Sequence, residues 1–171
     1  MILRRFIAVL VVLVATTRAA TAALDFDTRL RALGGFCLTG SSASCYARAF
    51  SAADRDGDGR LALAEADALW QDVQAWSTAH LAELPPADRN GLLVALLAVQ
   101  LTGLGALFAG YDADRDGYLS PQELSADVSL DERPVAVLIR DPEAVDWQRL
   151  LGRFGAASGL LGGVAPAPTS P

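Results

Sequence analysis

Two stretches of twelve residues carry acidic side chains at matching positions. The first, DRDGDGRLALAE, runs from Asp54 to Glu65, and the second, DADRDGYLSPQE, runs from Asp112 to Glu123. In both, carboxylates occupy positions one, three, five and twelve, and glycine occupies position six. Like charges this close repel one another, but a hard divalent cation with about six to eight oxygen ligands cancels that repulsion. The spacing therefore predicts two cation-binding loops, called loop one and loop two below.

Each loop position has its own part in the predicted site. The aspartates at positions one, three and five point inward, and the glycine at position six permits a sharp turn. Position seven contributes a backbone carbonyl, and the glutamate at position twelve reaches back from the exiting helix. At position nine, Ala62 leaves its place to water, whereas Ser120 ligates directly or holds a water. The candidate ligands are Asp54, Asp56, Asp58, the carbonyl of Arg60 and Glu65 in loop one, and Asp112, Asp114, Asp116, the carbonyl of Tyr118 and Glu123 in loop two.

Both loops match the pattern D-x-[DN]-x-[DN]-G-x5-E in full. An aromatic residue also stands four positions before each first aspartate (Phe50 and Phe108), and a leucine stands at each position eight (Leu61 and Leu119). On these features the region 46–128 resembles the EF-hand family of calcium-binding proteins. The resemblance implies helix–loop–helix units, two bound Ca²⁺ ions and an antiparallel bridge between Leu61 and Leu119. The loops are farther apart in sequence than in a compact pair of this family, and the extra length falls in the helices between them.

The elements that position the loops are predicted to be helices. Apolar residues recur at helical spacing after loop one, and the composition is rich in alanine and poor in β-branched runs. We predict an all-α fold of paired helix–loop–helix units with long internal helices, followed by a C-terminal amphipathic helix. The chain divides into a signal peptide at 1–22, the paired domain with its helical extensions at 23–154, and a disordered Gly/Ala/Pro-rich tail at 155–171.

The C-terminal amphipathic helix is predicted over Pro142–Phe154, with Asp141 as its N-cap. The VAVLI segment before it, 135–139, is predicted to be extended. We expect the helix to dock in the apolar groove of the pair, in the place of an external target. The alternative is that the helix stays free and leaves the groove to a partner. The apolar face of this helix consists of Trp147, Leu150, Leu151 and Phe154.

An uncharged run of twenty residues, Gly91–Gly110, meets the length rule for a membrane span. Its C-terminal flank is acidic, and in an exported chain that flank would reach the cytoplasm, where basic residues are expected. A span would also place the two loops on opposite sides of a membrane. We therefore predict a buried core helix here rather than a membrane span.

The N-terminus has the three parts of a secretory signal. A pair of arginines precedes an apolar run at 6–15, and Ala20–Ala22 offers a small-residue cleavage site. We therefore expect an exported protein, either secreted or periplasmic. The two cysteines, Cys37 and Cys45, suit an oxidising compartment, in which we expect them to form a disulfide. A pair of free thiols is the alternative.

Composition narrows the function classes. The formal net charge of −6 argues against a nucleic-acid partner, because no basic stripe is present to displace phosphate counterions. The chain has one histidine, no nucleophile–base pair and no Gly-rich phosphate cradle, so we predict that it is not an enzyme and assign no catalytic residue. The predicted function is an exported protein that binds two Ca²⁺ ions as a calcium-stabilised or calcium-buffering module. The alternative is a calcium-responsive sensor or docking module that binds a partner protein through its apolar groove.

Overall fold

The computed structural model describes residues 25–138, 140–141 and 143–161. Within these residues the structure consists mainly of helices, with one short two-stranded sheet. The predicted all-α class is therefore confirmed. The predicted signal peptide, 1–22, lies outside the described residues.

The first part of the described chain builds one helix–loop–helix unit. A helix over 25–37, α1, leads through a short turn to α2, Ser42–Ala53. The end of loop one forms strand β1, Leu61–Ala62, and the long helix α3, Leu63–His80, follows directly. A 3-10 turn, Leu81–Glu83, and two prolines then end this helical segment. We call α2, loop one and α3 unit one.

Two helices lead from unit one to loop two. They are α4, Pro86–Thr102, and α5, Leu104–Tyr111, and they are bent by 85° at the break between them. Gly103 occupies this break with a φ of 84°, a left-handed conformation that suits glycine. No single helix in the described part of the chain is long and apolar enough to cross a membrane, although α4 and α5 together pass on length and composition.

The predicted single buried helix over Gly91–Gly110 is therefore wrong in two respects. The backbone breaks inside it, because Gly103 takes a non-helical conformation. The face of α4 that carries Leu93, Leu97 and Leu101 is also exposed, the last of these at 63%. Only part of the uncharged run contributes to the core.

Loop two ends in strand β2, Tyr118–Leu119, and in a single helical turn, α6, Pro121–Leu124. We call α5, loop two and α6 unit two. Strand β2 pairs with β1 in antiparallel register, with Leu61 opposite Leu119, which confirms the predicted bridge. Both leucines are buried in a cluster with Phe50, Ala53 and Phe108. The shared core therefore lies directly beneath the two loops.

The chain beyond unit two forms short helices that return to both units. They are α7, Val135–Leu138, and α8, Trp147–Arg153, followed by a 3-10 turn, Gly155–Ala157, and α9, Ser158–Leu161. The 3-10 turn and α9 pack on α4, and α8 packs on α5. The first residues of the predicted disordered tail, 155–161, are thus helical, and the remainder of that tail lies outside the described residues.

Two further predictions for this region are wrong. Helix α8 begins at Trp147 rather than after Asp141, and its N-cap is Asp146, whose carboxylate accepts the N–H of Arg149 at 3.0 Å. The segment predicted to be extended contains the helical turn α7 instead.

Two connections fasten the start of α2. A disulfide joins Cys37, at the end of α1, to Cys45 in α2, with the Cα atoms 5.0 Å apart, and this confirms the predicted pairing. The hydroxyl of Ser42 donates to the carbonyl of Asp131 at 2.8 Å and accepts the N–H of the same residue at 3.0 Å. The N–H of Ser42 donates to the carbonyl of Arg133 at 2.7 Å. The segment after unit two therefore supports the entering helix of unit one.

Candidate metal-binding loops

Loop one brings its three aspartates together. One oxygen from each of Asp54, Asp56 and Asp58 lies within 4.8 Å of the other two. The N–H groups of Gly57 and Gly59 each donate to Asp54 at 2.8 Å, so the backbone holds this carboxylate in place. Clustered carboxylate oxygens of this kind fit a hard divalent cation.

Loop two brings together a different subset of its predicted ligands. One oxygen from each of Asp112, Asp114 and Glu123 lies within 4.8 Å of the other two. The N–H of Asp116 donates to both Asp112 and Asp114 at 3.1 Å. The carboxylate of Asp116 itself accepts the N–H of Tyr118 at 2.8 Å. Positions one, three and twelve therefore converge in loop two, whereas positions one, three and five converge in loop one.

The glutamate at position twelve closes each loop in the same way. In loop one, Glu65 accepts the N–H groups of Arg55 at 2.6 Å, Asp56 at 3.3 Å and Ala62 at 2.9 Å. In loop two, Glu123 accepts the N–H groups at the same positions two, three and nine. Position twelve thus lies against the first turn of its loop in both units.

These hydrogen bonds favour the charged form of both glutamates. The N–H of Ala62 contributes most to lowering the pKa of Glu65. In loop two the N–H and the hydroxyl of Ser120, followed by the N–H of Ala113, lower the pKa of Glu123 to about 2. Both glutamates are therefore ionised at neutral pH, which is the form that binds a cation.

Ser120, at position nine of loop two, is the N-cap of the exiting helix. The hydroxyl of Ser120 donates to Glu123 at 2.8 Å and accepts the N–H of Glu123 at 3.2 Å, which makes a capping box at the start of α6. Ala62, at the matching position before α3, has no side-chain oxygen for this purpose. The exiting helix of loop two therefore begins with a side-chain cap, whereas the exiting helix of loop one begins without one.

The backbone of both loops enters the left-handed region twice. Position six has a φ of 83° at Gly59 and 84° at Gly117, as predicted for the sharp turn. Position four is also left-handed, at Gly57 in loop one and at Arg115, with a φ of 63°, in loop two. The ligand pattern predicted a left-handed residue at position six only.

Arg60 connects the two loops through its side chain, although the prediction used only its backbone. Its N–H donates to Asp58 at 2.8 Å. Its guanidinium lies 3.5 Å from the carboxylate of Asp116 and 4.1 Å from the centre of the Tyr118 ring. The guanidinium of Arg60 in loop one therefore lies beside a carboxylate of loop two.

A buried ion cluster, which was not predicted from the sequence, lies behind loop two. Asp127 is 2% exposed and accepts hydrogen bonds from Arg153 through Nε at 2.5 Å and Nη2 at 3.0 Å. Arg149 lies 3.3 Å from the same carboxylate, and the hydroxyl of Tyr111 is hydrogen-bonded to it. Burial raises the pKa of Tyr111 to about 12, and the neighbouring negative charge of Asp127 adds to this shift. The four-residue spacing of Arg149 and Arg153 is the sequence signal that could have identified the cluster.

An apolar groove lies between α3 and α5, with a volume of about 340 Å³. Its walls consist of side chains from both units, among them Leu69, Trp70 and Phe108, and β1 and β2 contribute Leu61 and Leu119. Helix α8 was predicted to fill this groove, but it packs on α5 beside Asp127 instead. The two arginines on its polar side, Arg149 and Arg153, both pair with Asp127 there.

The fold and the two loops define a metal-binding protein built from paired helix–loop–helix units. The family model described as EF hand matches residues 47–65 and 104–129, which cover the later part of α2, the whole of α5 and both loops. These two segments are EF-hands. No curated protein matches the chain. No solved structure matches it either.

Proposed function

We propose that this protein binds two Ca²⁺ ions, one in each loop. The observation that carries the proposal is that each loop holds three carboxylate oxygens within 4.8 Å of one another. Hard oxygen ligands at this spacing match calcium, whereas magnesium demands a tighter octahedron and is expected to bind more weakly. Loop one would use Asp54, Asp56, Asp58 and Glu65, together with the carbonyl of Arg60. Loop two would use the corresponding Asp112, Asp114, Asp116 and Glu123, together with the carbonyl of Tyr118.

The protein is proposed to act outside the cytoplasm as a calcium-stabilised or calcium-buffering module. The signal-like N-terminus and the disulfide Cys37–Cys45 support export. Calcium is abundant in such compartments, so dissociation constants on the order of 10⁻⁵–10⁻³ M would suffice. Intact-mass analysis of protein from its native compartment tests export: a mature chain that begins near Ala23 and has no free thiol is expected. Retention of Met1 would contradict this part of the proposal.

Calorimetric titration of the full chain with CaCl₂ tests the binding itself. Two sites are expected, and Glu65→Gln and Glu123→Gln should each remove or strongly weaken one of them. Gln keeps the size of the side chain and one accepting oxygen, but it removes the charge and the second acceptor. The loss therefore reports the ligand role only in a variant whose circular dichroism matches that of the parent chain. A single site in the unsubstituted chain, or none, would contradict the proposed stoichiometry.

A second candidate function is a calcium-responsive binder of a protein partner. The apolar groove between α3 and α5 favours it, because α8 lies outside that groove. Fluorescence of an apolar dye with and without calcium separates the two functions. A calcium-dependent rise in dye binding would support the sensor, whereas equal binding in both states would support the stabilised or buffering module.

A further inference from the structure

The two units hold their position-twelve glutamates on very different helices. Glu65 lies near the start of α3, a helix of 18 residues that packs against α2 and α5. Glu123 lies on α6, which has 4 residues. A single helical turn has little stability of its own, because one or two hydrogen bonds do not offset the ordering of its backbone. Loop two therefore needs another element to hold its exiting end.

Asp127, four residues after Glu123, connects the exiting end of loop two to α8. Its carboxylate is almost completely buried and receives two hydrogen bonds from Arg153 on α8. Backbone contacts support the same junction, since the N–H of Asp146 donates to the carbonyl of Asp127 at 2.9 Å, and Val128 and Val145 form an isolated β-bridge. The chain after α6 is thus fastened to the start and to the end of α8.

Arg153 also contacts the other end of loop two. Its Nη1 donates to the carbonyl of Gly110, and its guanidinium lies 3.8 Å from the centre of the Tyr111 ring. Gly110 and Tyr111 are the last residues of α5 before Asp112, the first ligand of the loop. The guanidinium of Arg153 therefore contacts Tyr111, which precedes the first ligand, Asp112. It also contacts Asp127, which lies four residues after the last ligand, Glu123.

We propose that Arg153 is a positioning residue for the calcium site of loop two. By holding Tyr111 and Asp127 together, it keeps the first and the last ligand of the loop at the separation that one ion requires. This inference rests on the proposed calcium-binding function. Part of the ordering that calcium would otherwise impose is already in place, so the affinity of loop two is higher than its one-turn exiting helix would allow.

The coupling acts in both directions. If the docked position of α8 raises the calcium affinity of loop two, calcium in loop two must strengthen the docking of α8 by the same factor. Loop one has no corresponding contact with α8 among the described residues, because its glutamate is carried by α3. The effect is therefore expected at one site of the two.

The test measures each loop separately in the full chain by calorimetry with CaCl₂. Glu65→Gln leaves loop two as the measured site, and Glu123→Gln leaves loop one. Into each background we introduce the double substitution Asp127→Asn with Arg153→Gln, which removes both buried charges together and avoids leaving one unpaired. Arg153→Lys is the milder variant, because lysine keeps the charge but lacks the planar fork that reaches two partners. Arg31→Gln, which removes an ion pair with Asp27 on α1, is the control.

The double substitution should weaken calcium binding at loop two by a factor of about 5 to 100, and Arg153→Lys should weaken it less. Binding at loop one should change less than twofold, and the control should change neither loop. Equal weakening of both loops would show a general loosening of the structure and overturn the inference. An unchanged affinity of loop two in a variant whose circular dichroism matches the parent chain would also overturn it. Absence of calcium binding by the unsubstituted chain would instead reject the proposed function together with the inference.

Discussion

The two loops meet the same backbone requirement at position four with different residues. Gly57 takes the left-handed conformation without a steric cost, whereas Arg115 takes it with a Cβ atom that approaches its own carbonyl. The glycine at position six was predictable because the ligand pattern includes it. Position four was not, because arginine gives no sign in the sequence that its backbone is left-handed.

Replacing Gly117, the position-six glycine of loop two, measures the cost of a Cβ atom on a residue with a left-handed backbone. A Cβ added at Gly117 would meet no atom within 4 Å, so Gly117→Ala should act through its φ of 84° alone. We expect it to lower the free energy of unfolding by about 1–2 kcal/mol. Gly105→Ala is the matched control, because Gly105 lies within α5 and its added Cβ also meets no atom. The control should stabilise the chain by about 0.5–1 kcal/mol, and equal effects of the two substitutions in urea unfolding would contradict the strain argument.

The difference at position nine predicts a pair of opposite effects. Ala62 is the N-cap residue of α3 and has extended backbone angles, but it has no side-chain acceptor for the N–H of Glu65. Ala62→Ser should supply that acceptor and stabilise the protein by about 0.5–1 kcal/mol. Ser120→Ala should remove the existing cap of α6 and destabilise it by about 1 kcal/mol. Urea unfolding in excess chelator measures both, and a destabilising Ala62→Ser would show that the loop cannot accommodate the hydroxyl.

At the scale of elements, the sequence was most informative where the structure is local. The loops and the helices on either side of loop one follow from residue types at fixed spacing, whereas the β1–β2 register was implied by the resemblance to the EF-hand family. The start of α8 did not follow from the sequence in this way, because either Asp141 or Asp146 can serve as a helix N-cap. Asp141 pairs with Arg133 at 2.7 Å and accepts the N–H of Glu143, so it is occupied by a tertiary contact, and Asp146 caps the helix instead.

The break between α4 and α5 was missed for a related reason. Hydrophobicity is continuous through Gly103, so the pattern predicted one helix. The direction of the chain is set by the φ of that glycine and by the packing of α5 on unit one, neither of which appears in a hydropathy pattern. Leu93, Leu97 and Leu101 follow one another at helical spacing on a single exposed side of α4, which the hydropathy pattern did not distinguish from a buried one.

Ser42 tests how much the segment after unit two supports α2. Ser42 is 1% exposed, and its hydroxyl donates one hydrogen bond to the backbone of Asp131 and accepts another from it. Ser42→Ala would leave the partly buried N–H of Asp131 without that acceptor, so we expect a loss of about 1–3 kcal/mol in the free energy of unfolding. Ser51→Ala, on the exposed side of the same helix, should change it by less than about 0.5 kcal/mol. Urea unfolding that gives the same small effect for both would show that this contact contributes little.

At the scale of the whole molecule, the chain beyond unit two touches both units. Residues 131–134 support the entering helix of unit one, and α8 holds both ends of loop two. The paired loops are therefore connected in two ways, through the β1–β2 bridge on one side and through the C-terminal segment on the other. A change in the ion cluster at Asp127 should consequently affect the stability of the whole chain as well as loop two.

The pH dependence of stability reports on that cluster in the calcium-free chain. Burial raises the pKa of Asp127, but the hydrogen bonds from Arg153 and Tyr111 outweigh it, and the net pKa lies below the ordinary value of 3.8. A carboxylate whose pKa is lower in the folded state binds its proton less readily there than in the unfolded chain. Its contribution to stability is therefore fully present above about pH 4 and is lost as the pH falls through the folded pKa.

Asp127→Asn isolates this contribution, because the other carboxylates titrate alike in both chains. At pH 7 the substitution leaves Arg153 without its buried counter-ion and should cost about 3–5 kcal/mol. The difference in unfolding free energy between the two chains should hold from pH 7 to about pH 5 and then shrink below the unfolded pKa. Urea unfolding in chelator at pH 7, 5, 4 and 3 measures it. A difference that stays constant down to pH 3 would contradict the lowered pKa of Asp127, because a folded-state pKa below the unfolded value must make the difference shrink in this range. No difference at pH 7 would mean that the charge of Asp127 does not stabilise the fold.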